Sequence, residues 1–353
     1  MERKQNQWNG QTLFAGIDLH RDKWVITVRT DEVVLKTFVT NSDKTVLLRT
    51  FQHQWPGAKI KAVYEAGCFG YHLADFLNTN GVETIIVSPH TIPVAPGQFV
   101  KTDIIDSQKL ALELAKGSLK GIYLRTTDEL FDRGVVRKRQ QLIKRRVQIH
   151  NQIKGDLKFF GIDGESFLSK YWSKRTLSEL KQLTMGTEPF RAVFKMVIEE
   201  YEFIRNQVKA IDKILLDMIV SEKYKRPMEL LLAIPGVGRL TAITLLVELG
   251  NIRRFSSAEK FASYLGLTPA EYSSGDAIRK GSLTGMGHPI LRALIVESAW
   301  TAIKKDPVLL QKFQRLCIGK SKCQAIVAVA KSLANRIRRV LLFHEPYAVG
   351  VVR

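Results

Sequence analysis

Cysteine is scarce in this chain. Cys68, Cys317 and Cys323 form neither the even framework of a secreted disulfide protein nor the closely spaced pairs of a zinc motif. They read as free thiols in a reducing cytoplasm. Long apolar runs are missing too: no stretch of about eighteen apolar residues is present to span a membrane, and the opening MERKQNQWNG has no apolar core of the kind a secretory leader needs. The expectation is a soluble cytoplasmic protein associated with the nucleoid. Acid is the third scarcity. Asp and Glu number 34 against 54 Lys and Arg, which leaves a net charge of +20 and a pI near 9.9. Such an imbalance concentrates polyanions. It clusters in Arg137-Lys138-Arg139 and Lys144-Arg145-Arg146, so nucleic acid is expected as a partner over a merely soluble, basic protein.

Apolar residues, by contrast, are plentiful. They make up 45% of 353 residues, enough to bury substantial cores in two or three domains. Residues 13–17, 23–29 and 32–39 are apolar or β-branched runs that predict three adjacent strands. A helix over 42–54, a strand over 59–64, a helix over 71–78 and a strand over 83–87 should follow. Pro89, Pro93, Pro96 and Gly97 then make a loop, and helical periodicity resumes over 102–116 with Thr102 as N-cap. Three strands followed by alternating helices and strands fit an α/β, RNase-H-like plan.

The middle is helical and charged. Phe194, Val197, Tyr201, Ile204, Val208, Ile211, Leu215 and Met218 alternate steps of three and four, which is a coiled-coil seam over 190–218. Self-association and an intramolecular antiparallel hairpin with 128–158 satisfy that pattern equally. A third part begins near Pro227 and is mainly α. Its opening, Leu231 to Gly238, leads into a helix over 240–249 and resembles a helix-hairpin-helix. Gly236 and Gly238 would let the backbone approach a phosphate, while a tight turn between packed helices is the plainer alternative. The expected parts are 1–120, 121–225 and 226–353.

Four carboxylates carry the chemistry. Asp18 ends the first strand and Glu65 ends the strand over 59–64, so both can face one end of a sheet. Asp103 and Asp106 are three apart and share a helix face. Gathered together, they would repel and raise one another's pKa values unless a cation neutralised them. Oxygen-rich ligation suits Mg²⁺ or Mn²⁺, which also bind phosphate oxygens and polarise a phosphodiester.

Gly16-Ile17-Asp18, Glu65-Ala66-Gly67 and Lys101-Thr102-Asp103-Ile104-Ile105-Asp106 resemble the DEDD-type insertion-sequence transposases, whose first domain is like that of the Holliday-junction resolvase RuvC. Leu265 to Pro269, Tyr272-Ser273-Ser274-Gly275 and His288 to Arg292 resemble that family's C-terminal transposase domain. The resemblance implies a transposase or recombinase that cuts and rejoins donor and target DNA. It also implies a structured guide RNA from the element itself and a C-terminal serine nucleophile, carried over to Ser274 rather than Ser273. A serine hydroxyl needs charge stabilisation, and Arg279, Lys280 and Arg292 are candidate phosphate contacts; His288 is left out. The carboxylates and the serine fall in different parts, so an oligomer, dimer or tetramer, in which one subunit supplies each is one expectation. A metal-only junction endonuclease and a non-catalytic nucleic-acid scaffold are the rival readings.

Overall fold

Alternating burial builds the first sheet. The computed structural model describes residues 8–93, 102–162, 164–169, 171–271 and 280–350, and contacts divide the chain into two units, Met1–Arg125 and Thr126–Arg353. In the first unit, β1 (Thr12–Leu19), β2 (Lys23–Arg29) and β3 (Val34–Asn41) pair antiparallel. The chain then runs through α1 (Lys44–Gln54), β4 (Lys59–Glu65), α2 (His72–Thr79), β5 (Glu83–Val87) and α3 (Asp103–Ala115). β4 lies parallel to β1, and β5 parallel to β4, giving the order β3-β2-β1-β4-β5. These elements fall where the periodicity places them, with shifts of one to a few residues at the ends. The expected first strand is the most extended, reaching Leu19.

The sheet buries two faces. Leu13, Ala15 and Ile17 of β1, with Trp24, Ile26 and Val28 of β2, pack with Leu47 and Phe51 of α1 and Leu73 and Leu77 of α2. Successive strand residues point to opposite faces, so Gly16 and Asp18 look the other way, towards α3. Asp43 starts α1 by accepting from the amides of Thr45 and Val46 at 2.7 and 3.3 Å, a cap that stabilises by about 1 kcal/mol.

The second unit is helical. α4 (Thr127–Phe159), α5 (Glu165–Leu168), α6 (Lys174–Lys181) and α7 (Glu188–Ile219) precede α8 (Glu222–Leu232), α9 (Arg239–Leu249) and α10 (Ala258–Tyr264). Two short antiparallel strands, β6 (Pro269–Glu271) and β7 (Lys280–Leu283), lead into α11 (Pro289–Ala302), α12 (Pro307–Cys317) and α13 (Lys322–Phe343). α4 opens with a capping box in which Thr126 and Glu129 satisfy each other's backbone amides.

α4 and α7 form an antiparallel hairpin. Arg139 pairs with Asp212, and eleven residues further along α4 the ring of His150 lies 5.9 Å from that of Tyr201, eleven residues earlier on α7, so rising numbers on α4 meet falling numbers on α7. Seam residues Phe194, Tyr201, Ile204, Val208 and Leu215 are buried. The intramolecular alternative is therefore the one this fold contains. Val136 and Leu215 continue into the core formed by α8 to α13. α8 runs from Glu222 through Pro227. The proline removes one amide donor, while Tyr224, Met228, Leu230 and Leu231 bury the helix on the same core.

Candidate metal centre

A glycine brings the acids together. At Gly16 a Cβ would overlap the Ser107 carbonyl oxygen and the Ala111 amide nitrogen, so only glycine lets α3 lie this close to β1. Thr27 of β2 and Ser107 of α3 then exchange a buried hydroxyl contact at 2.8 Å. Val63 of β4 meets Leu110 of α3 in a small apolar cluster with Val87 and Ile92. Thr102 caps the helix by accepting from the Ile105 amide at 3.2 Å. Asp103 and Asp106 fall in its first turn, where the helix dipole favours negative charge. Asp18 lies two residues beyond Gly16 on the same strand face and so arrives at the start of α3.

Three side chains converge there. His20 Nε2 lies 3.0 Å from Asp18 Oδ2 and 3.3 Å from Asp103 Oδ1, and one ligand atom from each of Asp18, His20 and Asp103 lies within 4.8 Å of the others. Burial raises the Asp18 pKa above the ordinary carboxylate value; His20 opposes the rise, and the charges of Asp103 and Asp106 add to it. Asp106 is thus within electrostatic reach. Glu65 ends β4 one step past the registered pair Ile17 and Tyr64, at the same sheet edge and on the face of Val63. It stands outside the converging trio. His20 was missed by sequence reasoning, although its spacing from Asp18 is the strand period and was there to be read.

This donor set fits a divalent cation. Clustered carboxylates that push a neighbour's proton affinity upwards are the arrangement a cation relieves. The imidazole nitrogen of His20 makes the set less exclusively oxygen than the four acids alone.

The other expected site residues have varied placements. Arg137 bonds the buried Glu248 through Nε at 2.9 Å, and Arg139 and Arg145 pair with Asp212 and Glu200, while Arg137 and Arg145 stay exposed. Arg146 is half-buried, while Lys138 and Lys144 are exposed. Gly236, at φ +86°, packs so that a Cβ would overlap the Ser298 carbonyl oxygen, whereas a Cβ at Gly238 meets nothing within 4 Å. The close approach at Gly236 is therefore to α11. Arg292 lies with Nη1 3.5 Å from the Gly266 carbonyl oxygen. Ser273, Ser274, Arg279 and the Lys280 side chain lie outside the described residues.

Glu248 was also missed. It is fully buried in α9, and Arg133 and Arg137 donate to it at 2.8 and 2.9 Å. His288 stands 3.1 Å from it through Nε2, while its Nδ1 accepts from the Leu291 amide at 3.3 Å and caps α11. Burial works to raise the Glu248 pKa, but bonds from His288, Arg137 and Arg133 outweigh it and hold the carboxyl well below the usual range. This is a structural junction, which explains His288 without chemistry.

Residues 15–162 match a transposase family of the DEDD IS110 type, and residues 228–314 match the family described as Transposase IS116/IS110/IS902. The chain is similar to the putative transposase y4qE of Sinorhizobium fredii, with 27% identity across 93% of this chain and 81% of the relative. It is also similar to the transposase for insertion sequence element IS1111A of Coxiella burnetii, with 23% identity across 76% of this chain and 74% of the relative. A shorter similarity reaches a pilin gene-inverting protein of Moraxella bovis, 36% identical over 33% of this chain and 38% of that one.

Proposed function

Because the chain belongs to the IS110/IS116 family of transposases, we propose that it moves its insertion sequence by serine attack on DNA phosphodiesters, guided by a structured RNA from the element. The observation that carries the metal half of this reading is the convergence of Asp18, His20 and Asp103 at the sheet edge, with Asp106 in electrostatic reach. Asp18, Glu65, Asp103 and Asp106 are the proposed metal ligands, with His20 beside them. A bound Mg²⁺ or Mn²⁺ would polarise the scissile phosphodiester.

Ser274 is the proposed nucleophile, lying in sequence between β6 and β7. Its Oγ forms a bond to phosphorus and gives up its proton; the bond from phosphorus to the leaving deoxyribose oxygen breaks, and that oxygen takes up a proton. The phosphoserine conserves the bond energy, so a hydroxyl of the new partner strand can attack it, rejoin DNA and restore the serine. Lys138, Lys144, Arg146, Gly238, Arg279, Lys280 and Arg292 are proposed to hold phosphates, which position nucleic acid without reading sequence. The sheet order β3-β2-β1-β4-β5 supports an RNase-H-like, RuvC-like reading of the first unit. The α4–α7 hairpin supports a spacer or assembly role for 121–225, between working parts 1–120 and 226–353. A homo-oligomer, dimer or tetramer, belongs to the same reading.

Trapping decides the mechanism. Denaturing electrophoresis with labelled, nicked suicide DNA should give a covalent adduct that mass spectrometry places on Ser274, absent in Ser274→Ala and kept in Ser273→Ala. An adduct on Ser273 moves the nucleophile by one residue. Robust cleavage without an adduct overturns the serine step and leaves a metal-only nuclease. Sequencing RNA that co-purifies with the protein tests guidance directly; the absence of any RNA from the element refutes it.

A further inference from the structure

α12 and α13 diverge around a cationic cleft that the proposed transposition chemistry does not use. Ser332, Asn335, Arg336 and Arg339 on α13 follow the i, i+3, i+4, i+7 spacing with which a helix ordinarily presents an apolar stripe. Lys312 and Arg315 face them from α12. Together they line a cavity of about 790 Å³, and its lining contains no carboxylate among the described residues.

The positive charge is only partly answered. Arg336 Nη1 donates to Asp306 Oδ2 at 2.6 Å and to the Tyr347 hydroxyl at 2.5 Å, which fixes it in place. Arg339 reaches Glu345 only at 3.7 Å, and Lys312 donates to the Ser332 hydroxyl, a neutral partner. Burial lowers the Lys312 pKa, and the nearby cations Arg315, Arg336 and Lys331 lower it further. Asn335 adds an independent sign. Its Oδ1 is buried with no hydrogen-bond partner among the described residues, and a buried acceptor of this kind is stabilised by a ligand donor such as a ribose hydroxyl or base N–H.

We propose that the α12–α13 cleft binds a single-stranded segment of nucleic acid, with phosphates on Lys312 and Arg315 and a sugar or base edge at Asn335. The inference rests on the reading that this chain works on nucleic acid, and it adds a site that the carboxylate centre does not supply. The cavity is of the size that takes nucleotide-scale ligands. Arg315 and Arg339 offer planar guanidinium groups on which unpaired bases can stack.

The test uses the full-length protein and labelled single strands of about twelve nucleotides, enough to span one binding groove, as DNA and as RNA. In Lys312→Gln with Arg315→Gln, affinity should fall tenfold or more. The slope of log affinity against log salt should shrink by about 1.4, at about 0.7 for each lost phosphate contact. Lys312→Arg with Arg315→Lys keeps the charge and should keep the binding, which separates lost contacts from lost folding. Acetylation of Lys312, read by mass spectrometry, should be blocked by the strand and not by poly-glutamate. Asn335→Ala should weaken RNA more than DNA if a ribose hydroxyl is the donor, and both alike if a base edge is.

Unchanged affinity and slope in a folded Lys312→Gln, Arg315→Gln protein overturns the proposal, and so does equal protection by poly-glutamate. Strand binding in this cleft by a chain that moves no DNA would refute the proposed function and leave this site standing. Transposition with no binding here would do the reverse.

Discussion

Replacing Glu248 by Gln tests whether the buried junction in the second unit is held by charge. The substitution keeps the shape and removes the anion that Arg133, Arg137 and His288 share. Breaking a buried ion pair from one side costs about 3–5 kcal/mol, because the remaining charge is stranded. The low end applies here: Arg137 is 46% exposed and rehydrates, whereas Arg133 at 19% and His288 at 10% do not. A loss of about 3 kcal/mol lowers the melting temperature of a unit this size by roughly 6–12 °C. Scanning fluorimetry and urea titration should place that loss in the second unit's transition.

The pH dependence gives a second measurement. The folded carboxyl is held below its ordinary value of 4.5, so its stabilisation is complete above that value and is lost as pH falls towards the folded one. The gap between wild type and Glu248→Gln should hold from neutrality to about pH 5 and narrow in more acid solution. Arg133→Gln combined with Glu248→Gln should cost less than the sum of the two, since both remove one interaction. A loss under about 1 kcal/mol at neutral pH, the size expected of an exposed pair, or a gap indifferent to acid would refute the account.

Gly16→Ala should push α3 off β1, costing about 1–3 kcal/mol as overpacking does and lowering metal affinity measured by calorimetry; unchanged metal binding would sever the link between the helix seat and the acids. Asp18→Asn, Glu65→Gln, Asp103→Asn and Asp106→Asn should each suppress metal-dependent strand exchange while leaving nucleic-acid binding largely intact, and full activity in two of them breaks the proposed ligand set. Lys138→Gln with Lys144→Gln should flatten the salt dependence of DNA affinity by about 0.9 per lost contact; an identical slope removes this face of α4 from the interface. Ile204→Asp should disrupt the α4–α7 hairpin, so unchanged helicity by circular dichroism and an unchanged melting curve would contradict the packing described.

The elements of the first unit were legible because strand and helix periods are local: β2 reads as nearly unbroken apolar residues since both its faces are covered. The positions of Asp18, Asp103 and Asp106, near a strand end and at a helix start, were legible for the same reason, being set by spacing and by the Thr102 cap. Where a partner comes from elsewhere in the chain, periodicity is silent. The seam on α7 allowed a second copy or α4 equally, and tertiary packing chose α4. In sequence Gly236 is open to a phosphate, but Ser298 of α11 lies against it, and nothing local pairs Arg137 with Glu248 or Arg139 with Asp212. Glu248 itself is one acid in an apolar helix, and its role depends on two arginines more than a hundred residues earlier in the chain. Sequence alone determined which side chains each element would carry and towards which face; the tertiary structure decided which charges meet one another and which remain for a ligand, because pairing depends on distances that no local pattern encodes.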